Sequence, residues 1–372
     1  MKILFTGGGT GGHIFPIIAI VRESKQKSQA SLYFVGPKSK MGEQLLKNEG
    51  MIVKTILAGK MRRYFSPIAI IQNFLDTFKI PFGYIQAFWY LRKIRPNIIF
   101  SKGGYGALPV IWANKWFKIP VFVHEADVVP GLATRISAKY ASEIFTSFEN
   151  TETNSLPVQK IVWTGNPIRQ GIVGGSRGEA KKLFELTDEK PVVLILGGSQ
   201  GAERINQLVL GVLTQLLEKF EIIHQCGEKK LDEIWSTAQI IIKEEGLIKY
   251  YHPVGFLNEE QLKQAYAASH LIVSRAGSGA IFEIAAVGKP SILLPLPEAA
   301  QDHQAKNANA YAATGAAVVM ESKNPTPALL LSRITSVFSQ PEKLQQMAQS
   351  ALTFAKPHAA QTIAERIIPS GD

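Results

Sequence analysis

Short apolar runs alternate with helical hydrophobic patterns from one end of the chain to the other. That alternation predicts βαβ units, because a parallel strand needs a crossover and a helix is the usual one. In the first half the runs near Lys2 to Thr6, Ser31 to Val35, Ile52 to Leu57, Asn97 to Ser101, Val121 to His124, Glu143 to Thr146 and Lys160 to Thr164 read as strands. In the second half they fall near Val192 to Leu196, Glu221 to Gln225, Leu247 to Val254, Leu271 to Ser274, Ser291 to Leu294 and Ala317 to Met320. Periodicity lapses in the Gly/Ser/Arg-rich stretch from Gly165 to Gly178, which reads as a linker. The expected division is therefore residues 1–168, residues 169–340 and a terminal helical segment, 341–372. That segment is long for an end cap, is interrupted near Lys356-Pro357, and has the reach to return to the first domain.

Polar residues gather where the apolar strands end. The first half has Gly7 to His13, Lys102 to Gly106 and His124 to Asp127; the second has Gly197 to Ala202, Arg275 to Gly279 and Gln301 to Gln304. In open α/β sheets ligands bind outside the carboxyl ends of strands, so these clusters point to one cleft between two facing domains. Two of them, Gly7-Gly8-Gly9-Thr10-Gly11-Gly12-His13 and Gly197-Gly198-Ser199-Gln200-Gly201-Ala202, are glycine turns that feed a helix. Such a turn offers unpaired N–H groups and the positive end of a helix dipole to an anion.

Composition fits a two-domain enzyme: 372 residues, 46% hydrophobic and 19% charged, can bury two ordinary cores. A net charge of +11 favours anionic partners, whether nucleotide phosphates, a lipid diphosphate, an acidic membrane surface or nucleic acid, with solubility alone as the plainer reading. The single cysteine, Cys226, excludes an intrachain disulfide framework and agrees with a reducing compartment. No secretory leader is expected from the N-terminal pattern, and no run of about eighteen apolar residues predicts a membrane span.

A dinucleotide is disfavoured because neither glycine turn is followed, about twenty residues on, by the acidic residue that binds the ribose. An ATPase is disfavoured too, since neither turn ends in Gly-Lys-Ser/Thr. A nucleotide sugar fits better, and the argument turns on Glu283, the one polar side chain in Ala280-Ile281-Phe282-Glu283-Ile284-Ala285-Ala286-Val287. A buried carboxylate needs partners, and ribose hydroxyls would supply them. A helix-dipole carboxylate or a core ion pair with Arg275 is the purely structural alternative.

Gly8 to Pro16, Gly103-Gly104-Tyr105, His124-Glu125, Gly165-Asn166-Pro167-Ile168-Arg169, Gly197 to Ala202, Arg275 to Glu283 and Asp302 to Ala308 occur in an order that resembles the MurG family. These are peptidoglycan glycosyltransferases that add N-acetylglucosamine to lipid I to make lipid II. The resemblance covers essentially the whole chain and implies a GT-B fold, two Rossmann-like α/β domains about a deep cleft, with the donor held mainly by the C-terminal one. It places Thr10, Gly11, Gly12 and His13 at the donor sugar and acceptor diphosphate, and Gly104 and Tyr105 in a second acceptor-side turn. It places Ser199 and Gln200 at the donor phosphates, and Arg169 and the backbone of Leu257 at the uracil. The segment Ser278, Gly279, Ala280, Ile281, Phe282 and Glu283 would cradle the nucleotide, with Glu283 on the ribose. Gln304 would read the sugar hydroxyls, with Asn307 on the same segment and His124 at the acceptor-side strand end. Asp127 matches a sugar-contacting position that is Asn in many relatives. An Asp accepts from hydroxyls but cannot donate as an amide does.

Taken alone, Ser199 reads equally as a helix cap, His124 as a satisfied core histidine and Asn166-Pro167 as a turn. His13 has the best case for chemistry, since it follows an open turn and an imidazole titrates near neutrality; Asp127 and Glu125 are the other candidate bases.

Between Ser66 and Arg95 the chain carries more apolar and aromatic residues than one helix face needs for a core, then Arg92, Lys93 and Arg95. Trp112, Lys115, Trp116, Phe117 and Lys118 repeat the combination. Ordinary amphipathic helices would account for most of them, while a surface subset would suit an anionic lipid headgroup layer. The expected protein is thus an inverting N-acetylglucosamine transferase acting on lipid I at the cytoplasmic membrane face, without cofactor, metal or nucleic acid. Another UDP-sugar enzyme of the same fold, such as a glycolipid synthase or an epimerase, is the runner-up. An idle nucleotide- or membrane-binding module is the alternative of another class.

Overall fold

The computed structural model describes residues 1–59, 67–197, 203–244, 246–295, 302–320 and 324–368, excluding the side chains of residues 67–72 and 75. The chain forms two compact units, residues 1–168 with 356–372, and residues 169–355.

The first unit is built on β1 (Lys2–Thr6), β2 (Ser31–Pro37), β3 (Ile52–Ile56), β4 (Ile98–Ser101), β5 (Val121–Glu125), β6 (Ala141–Thr146) and β7 (Ile161–Trp163), in the order β3-β2-β1-β4-β5-β6-β7. The second is built on β8 (Val192–Leu196), β9 (Glu221–Gln225), β10 (Tyr251–Val254), β11 (Leu271–Arg275), β12 (Ser291–Leu294) and β13 (Ala317–Val319), in the order β10-β9-β8-β11-β12-β13. Every ladder among the described residues is parallel. The thirteen sequence-predicted strands all form. Most boundaries agree within two residues, and the largest difference is at β10: Ile248–Tyr250 makes a single 3-10 turn, so the strand starts at Tyr251 rather than Leu247.

Each sheet is covered on both faces, which is why its strands are continuously apolar. Ile3 and Phe5 pack under the first helix, Gly11–Lys27, while Leu4, on the opposite face, packs with Ala87, Leu91, Val110 and Ile111. Strand order reverses between β1 and β4 in one unit and between β8 and β11 in the other. Thr6 pairs with Ser101, and Leu196 with Ser274, so in each unit the two turns that leave these central strands start side by side. That is where an open α/β sheet binds its ligand.

The terminal segment divides. Helix Pro341–Phe354 stays with the second unit, where Phe354 packs on Phe282 and Tyr311 at ring-centroid distances of 5.0 and 4.9 Å. After Pro357 the chain forms helix Ala359–Ile367, whose Ala360, Ile363, Ala364 and Ile367 join the first unit's core against helix Gly11–Lys27. Burying the two isoleucines alone is worth roughly 3–6 kcal/mol.

Candidate active site

In the first unit, helix Gly11–Lys27 opens directly from the glycine turn. Its N-cap, Thr10, makes no side-chain bond to the helix, and no acidic residue lies in the first turn, so the leading N–H groups remain available to a ligand. The Thr10 hydroxyl instead meets the ring of His13, Oγ1 to Nδ1 2.8 Å. The imidazole is thereby oriented, with Nε2 directed at the second glycine turn. A Cβ on Gly104 would lie 2.9 Å from His13 Nε2 and 3.1 Å from the backbone N of Gly8, at a φ of +78°, so only glycine fits there. Ser39 pins the first turn from outside: its hydroxyl donates to Gly9 O at 2.7 Å and accepts from Gly42 N at 3.2 Å.

At the ends of β4 and β5 stand Lys102, His124, Glu125 and Asp127. Lys102 and His124 are buried. His124 Nε2 contacts Gly165 O at 3.2 Å, while its Nδ1 has no hydrogen-bond partner. Both oxygens of buried Glu125 are occupied: Oε1 accepts from Asp127 N and Oε2 from Gly131 N, each at 3.0 Å. Glu125 therefore shapes the loop that carries half-buried Asp127 into the helix Leu132–Ala138. Tyr105 begins a single 3-10 turn beside Gly104 and is half-buried.

Burial sets the charges here. Desolvation, helped by the Lys102 cation and opposed by Asp127, lowers the His13 pKa to about 4, so its imidazole is neutral at physiological pH. The same desolvation lowers Lys102 to about 8 against the pull of Glu125 and Asp127. Burial and the Lys102 charge hold His124 well below its ordinary value, and burial next to Asp127 raises Glu125.

In the second unit Ser199 and Gln200 lie outside the described residues, as does the stretch 297–301. The helix that follows the first of these segments, Glu203–Leu210, is anchored by a buried polar chain. Asn206 Nδ2 donates to Cys226 O at 3.0 Å, Asn206 Oδ1 meets His224 Nε2 at 3.1 Å, and His224 Nδ1 meets the Tyr251 hydroxyl at 2.8 Å. Beside it, helix Ser278–Ala286 leaves β11 through Gly277, with neither a side-chain cap nor an acidic residue in its first turn. Ser278, Gly279 and Ala280 thus present their N–H groups, while Ile281 and Phe282 turn into the core.

Glu283, on the second turn of that helix, is buried and does have a charged partner, Arg169. Nε donates to Oε1 at 2.8 Å and Nη2 to Oε2 at 2.9 Å, and Tyr266 Oη reaches Oε2 at 3.4 Å. Arg169 is the residue that begins the second unit. The Leu257 N–H donates to Gln225 Oε1 at a long 3.4 Å. On helix His303–Ala312, Asn307 donates to Ala276 O at 3.5 Å, and Gln304 is half-buried.

The structure thus gathers the first unit's candidates at the ends of β1, β4 and β5; in the second unit it joins Arg169 to Glu283 and Asn307 to the turn after β11, while Leu257 lies beyond β10 against Gln225 and Ser199 and Gln200 are outside the described residues. The sequence reading gave no individual role to Lys102, Ser39, Tyr266 or the Asn206–His224 pair. Lys102 left a signal, a cation directly after an apolar strand and before two glycines, and so did Ser39, a serine at the start of helix Lys40–Asn48; Tyr266 and the Asn206–His224 pair left none, because their contacts span residues distant in sequence.

The basic-aromatic flank is one helix, Pro67–Ile94, with Pro81 inside it, about 42 Å long. Ala87, Leu91 and Ile94 face the core, while Phe74, Phe78, Phe82, Ile85 and Trp89, at helical spacing, are each more than half exposed. Trp116 adds to this exposed surface, Lys93 lies 5.2 Å from the Trp89 ring, and Lys115 lies 5.1 Å from that of Tyr140. Among the described residues no helix is long and apolar enough to cross a membrane.

Residues 3–146 match the N-terminal domain of glycosyltransferase family 28, and residues 192–363 match its C-terminal domain. The chain is 33% identical over 381 residues to the UDP-N-acetylglucosamine--N-acetylmuramyl-(pentapeptide) pyrophosphoryl-undecaprenol N-acetylglucosamine transferase of Treponema denticola, covering 98% of this chain and 96% of that one. The crystal structure of Acinetobacter baumannii MurG superposes with a TM-score of 0.74 at 26% identity, over 98% of both chains. A UDP-GlcNAc 2-epimerase from Neisseria meningitidis superposes with a TM-score of 0.67 at 18% identity, over 98% of this chain and 99% of that one, a likeness of fold alone.

Proposed function

The chain belongs to glycosyltransferase family 28, and from that premise we propose that it transfers N-acetylglucosamine from UDP-N-acetylglucosamine to the C4 hydroxyl of the muramoyl sugar of lipid I, with inversion. The observation that carries the reading is the Arg169–Glu283 pair on a helix with an open N-terminus. One short helix then offers N–H groups for the donor phosphates and, one turn on, a carboxylate whose remaining lone pairs face the ribose hydroxyls. Arg169 acts on the nucleotide through Glu283, which it holds in place. Ser199 and Gln200 complete the phosphate site, the weakly engaged Leu257 N–H turns to the uracil, and Gln304 reads the sugar. Asn307 holds the Ala276 turn.

The acceptor belongs to the first unit. Attack at the anomeric carbon requires the C4 hydroxyl to lose its proton as UDP departs. His13 is neutral at physiological pH, with Nδ1 tied to Thr10, which leaves Nε2 as the atom to take that proton. Asp127 is the second candidate, whereas Glu125 spends both oxygens on its own loop. The departing diphosphate is stabilised by helix N-termini and backbone donors, with no metal or cofactor required.

The exposed stripe from Phe74 to Trp89 seats the enzyme on the cytoplasmic face of the membrane, with neighbouring cations meeting anionic headgroups. Nucleic acid is not a partner in this reading. Product analysis with UDP-N-acetylglucosamine and a lipid I analogue tests it: a disaccharide product on the analogue is expected, and hydrolysis or epimerisation of the donor alone would overturn it.

A further inference from the structure

Lys102 is the first residue beyond β4, its backbone N–H donates to Thr6 O at 2.9 Å, and the residue is only 4% exposed. Among the described residues its ammonium makes no hydrogen bond and no ion pair. A cation on a residue so little exposed, with no hydrogen-bonded or ion-paired partner, is costly, so this one needs a reason to be there. Its neighbours do not supply a direct contact: Glu125 gives both oxygens to backbone N–H groups, and Asp127 acts on it only through space. His13 and His124 are neutral in its field. Its Cβ lies 3.4 Å from where a side chain on Gly7 would begin, which puts it under the glycine turn leading to the open N-terminus of helix Gly11–Lys27.

We propose that Lys102 is a binding residue for a phosphate oxygen of the acceptor's diphosphate, completing an anion site whose other donors are the N–H groups of that helix and turn. The inference rests on the reading above for the identity of the acceptor, but not for the presence of the anion site. The ammonium supplies the charge-assisted bond and the helix N-terminus supplies neutral donors. Placement in the first unit assigns it to the acceptor and not to the donor.

The test uses K102M, which keeps the side chain's length without charge, and K102Q, which keeps a donor without charge. Each full-length variant is titrated calorimetrically with inorganic diphosphate while UDP saturates the donor site, titrated separately with UDP, and assayed with a water-soluble lipid I analogue. Wild type should bind inorganic diphosphate, and both variants should bind it at least about tenfold more weakly, with acceptor KM raised about ten- to a hundredfold and UDP affinity unchanged. Four results would overturn the proposal: no diphosphate binding by wild type, binding in a folded variant within twofold of wild type, UDP affinity falling in step with acceptor binding, or failure of both variants to fold. The last would make Lys102 a structural counter-charge for Glu125 and Asp127. If no transfer product forms with any protein, the acceptor reading fails, and the diphosphate titration still decides the role of Lys102.

Discussion

Arg169 meets Glu283 with two parallel hydrogen bonds, 2.8 and 2.9 Å, between side chains 114 residues apart and both buried. One grip therefore joins the segment that opens the second unit to the helix assigned to the nucleotide. Removing either partner leaves a buried charge alone, so R169M should lower unfolding free energy by about 3–5 kcal/mol. E283A should weaken UDP binding about ten- to a hundredfold. The double variant R169M/E283M separates the two effects: stability should largely return, while UDP affinity should not. Wild-type UDP affinity in the double variant, measured by calorimetry, would take Glu283 out of the site.

His13 is expected to matter to turnover and not to donor binding. General-base assistance is worth about 10²–10⁴-fold, so H13A should lower kcat by that order with UDP affinity kept. A near-normal kcat under saturating donor and acceptor would move the role to Asp127.

No Asp-x-Asp occurs in the sequence to bridge a metal to the donor diphosphate. Turnover should therefore survive EDTA, because in the proposed reaction backbone donors and helix N-termini stabilise the leaving UDP. Loss of activity in EDTA, with recovery on adding magnesium or manganese, would contradict this.

The exposed stripe should bind membranes in two ways at once. Partition onto anionic vesicles should weaken as salt rises and settle at a residual level set by the apolar contact. Changing Phe78, Phe82 and Trp89 to serine together should abolish that residual level, since all three point outward and none is needed for the core. Equal partition onto neutral and anionic vesicles at low salt would remove the electrostatic half of the argument.

Acid should unfold the protein partly through its neutral histidines. His13 and His224 have folded-state pKa values lowered to about 4 and about 3, chiefly by burial, against about 6.5 in the unfolded chain. Below pH 6.5 the unfolded state binds more protons than the folded one, so their contribution, full above that pH, is lost as pH falls toward 4 and then 3. Urea unfolding followed from pH 7 to 4.5 should show H13A taking up as much as one proton fewer on unfolding than wild type. An unchanged proton uptake would mean that the His13 ring is not desolvated.

The fold was legible because parallel strands covered on both faces leave uninterrupted apolar runs, as Val192 to Leu196 does, and glycines mark where those runs end. The overshoot at Leu247 has the same origin. Leu247, Ile248 and Tyr250 are apolar because they pack on the second core, and apolar residues in a buried turn look like strand. The glycine turns, His13 and Glu283 could be picked out because each breaks a local pattern. The partner of Glu283 could not: Arg275 was the nearer candidate along the chain, and only folding brings Arg169 to it. Lys102 was visible as part of a cluster, but its burial and its solitary ammonium are properties of packing. The aromatic stripe was counted correctly as an excess, yet which side chains belong to the core is settled by the way helix Pro67–Ile94 lies on Val110 and Ile111.

Helix Ala359–Ile367 completes a core begun by residues near the start of the chain, with Lys27 and Glu365 joined at 3.0 Å. In the order of synthesis, the second unit is an insertion within the first. While the ribosome is still making it, the apolar face of helix Gly11–Lys27 stays uncovered, and the unit that begins first is finished last. Until Ile367 emerges, a nascent chain has a second unit whose residues are all made and a first unit still lacking part of its core, so premature termination near the end would damage the unit that was begun first.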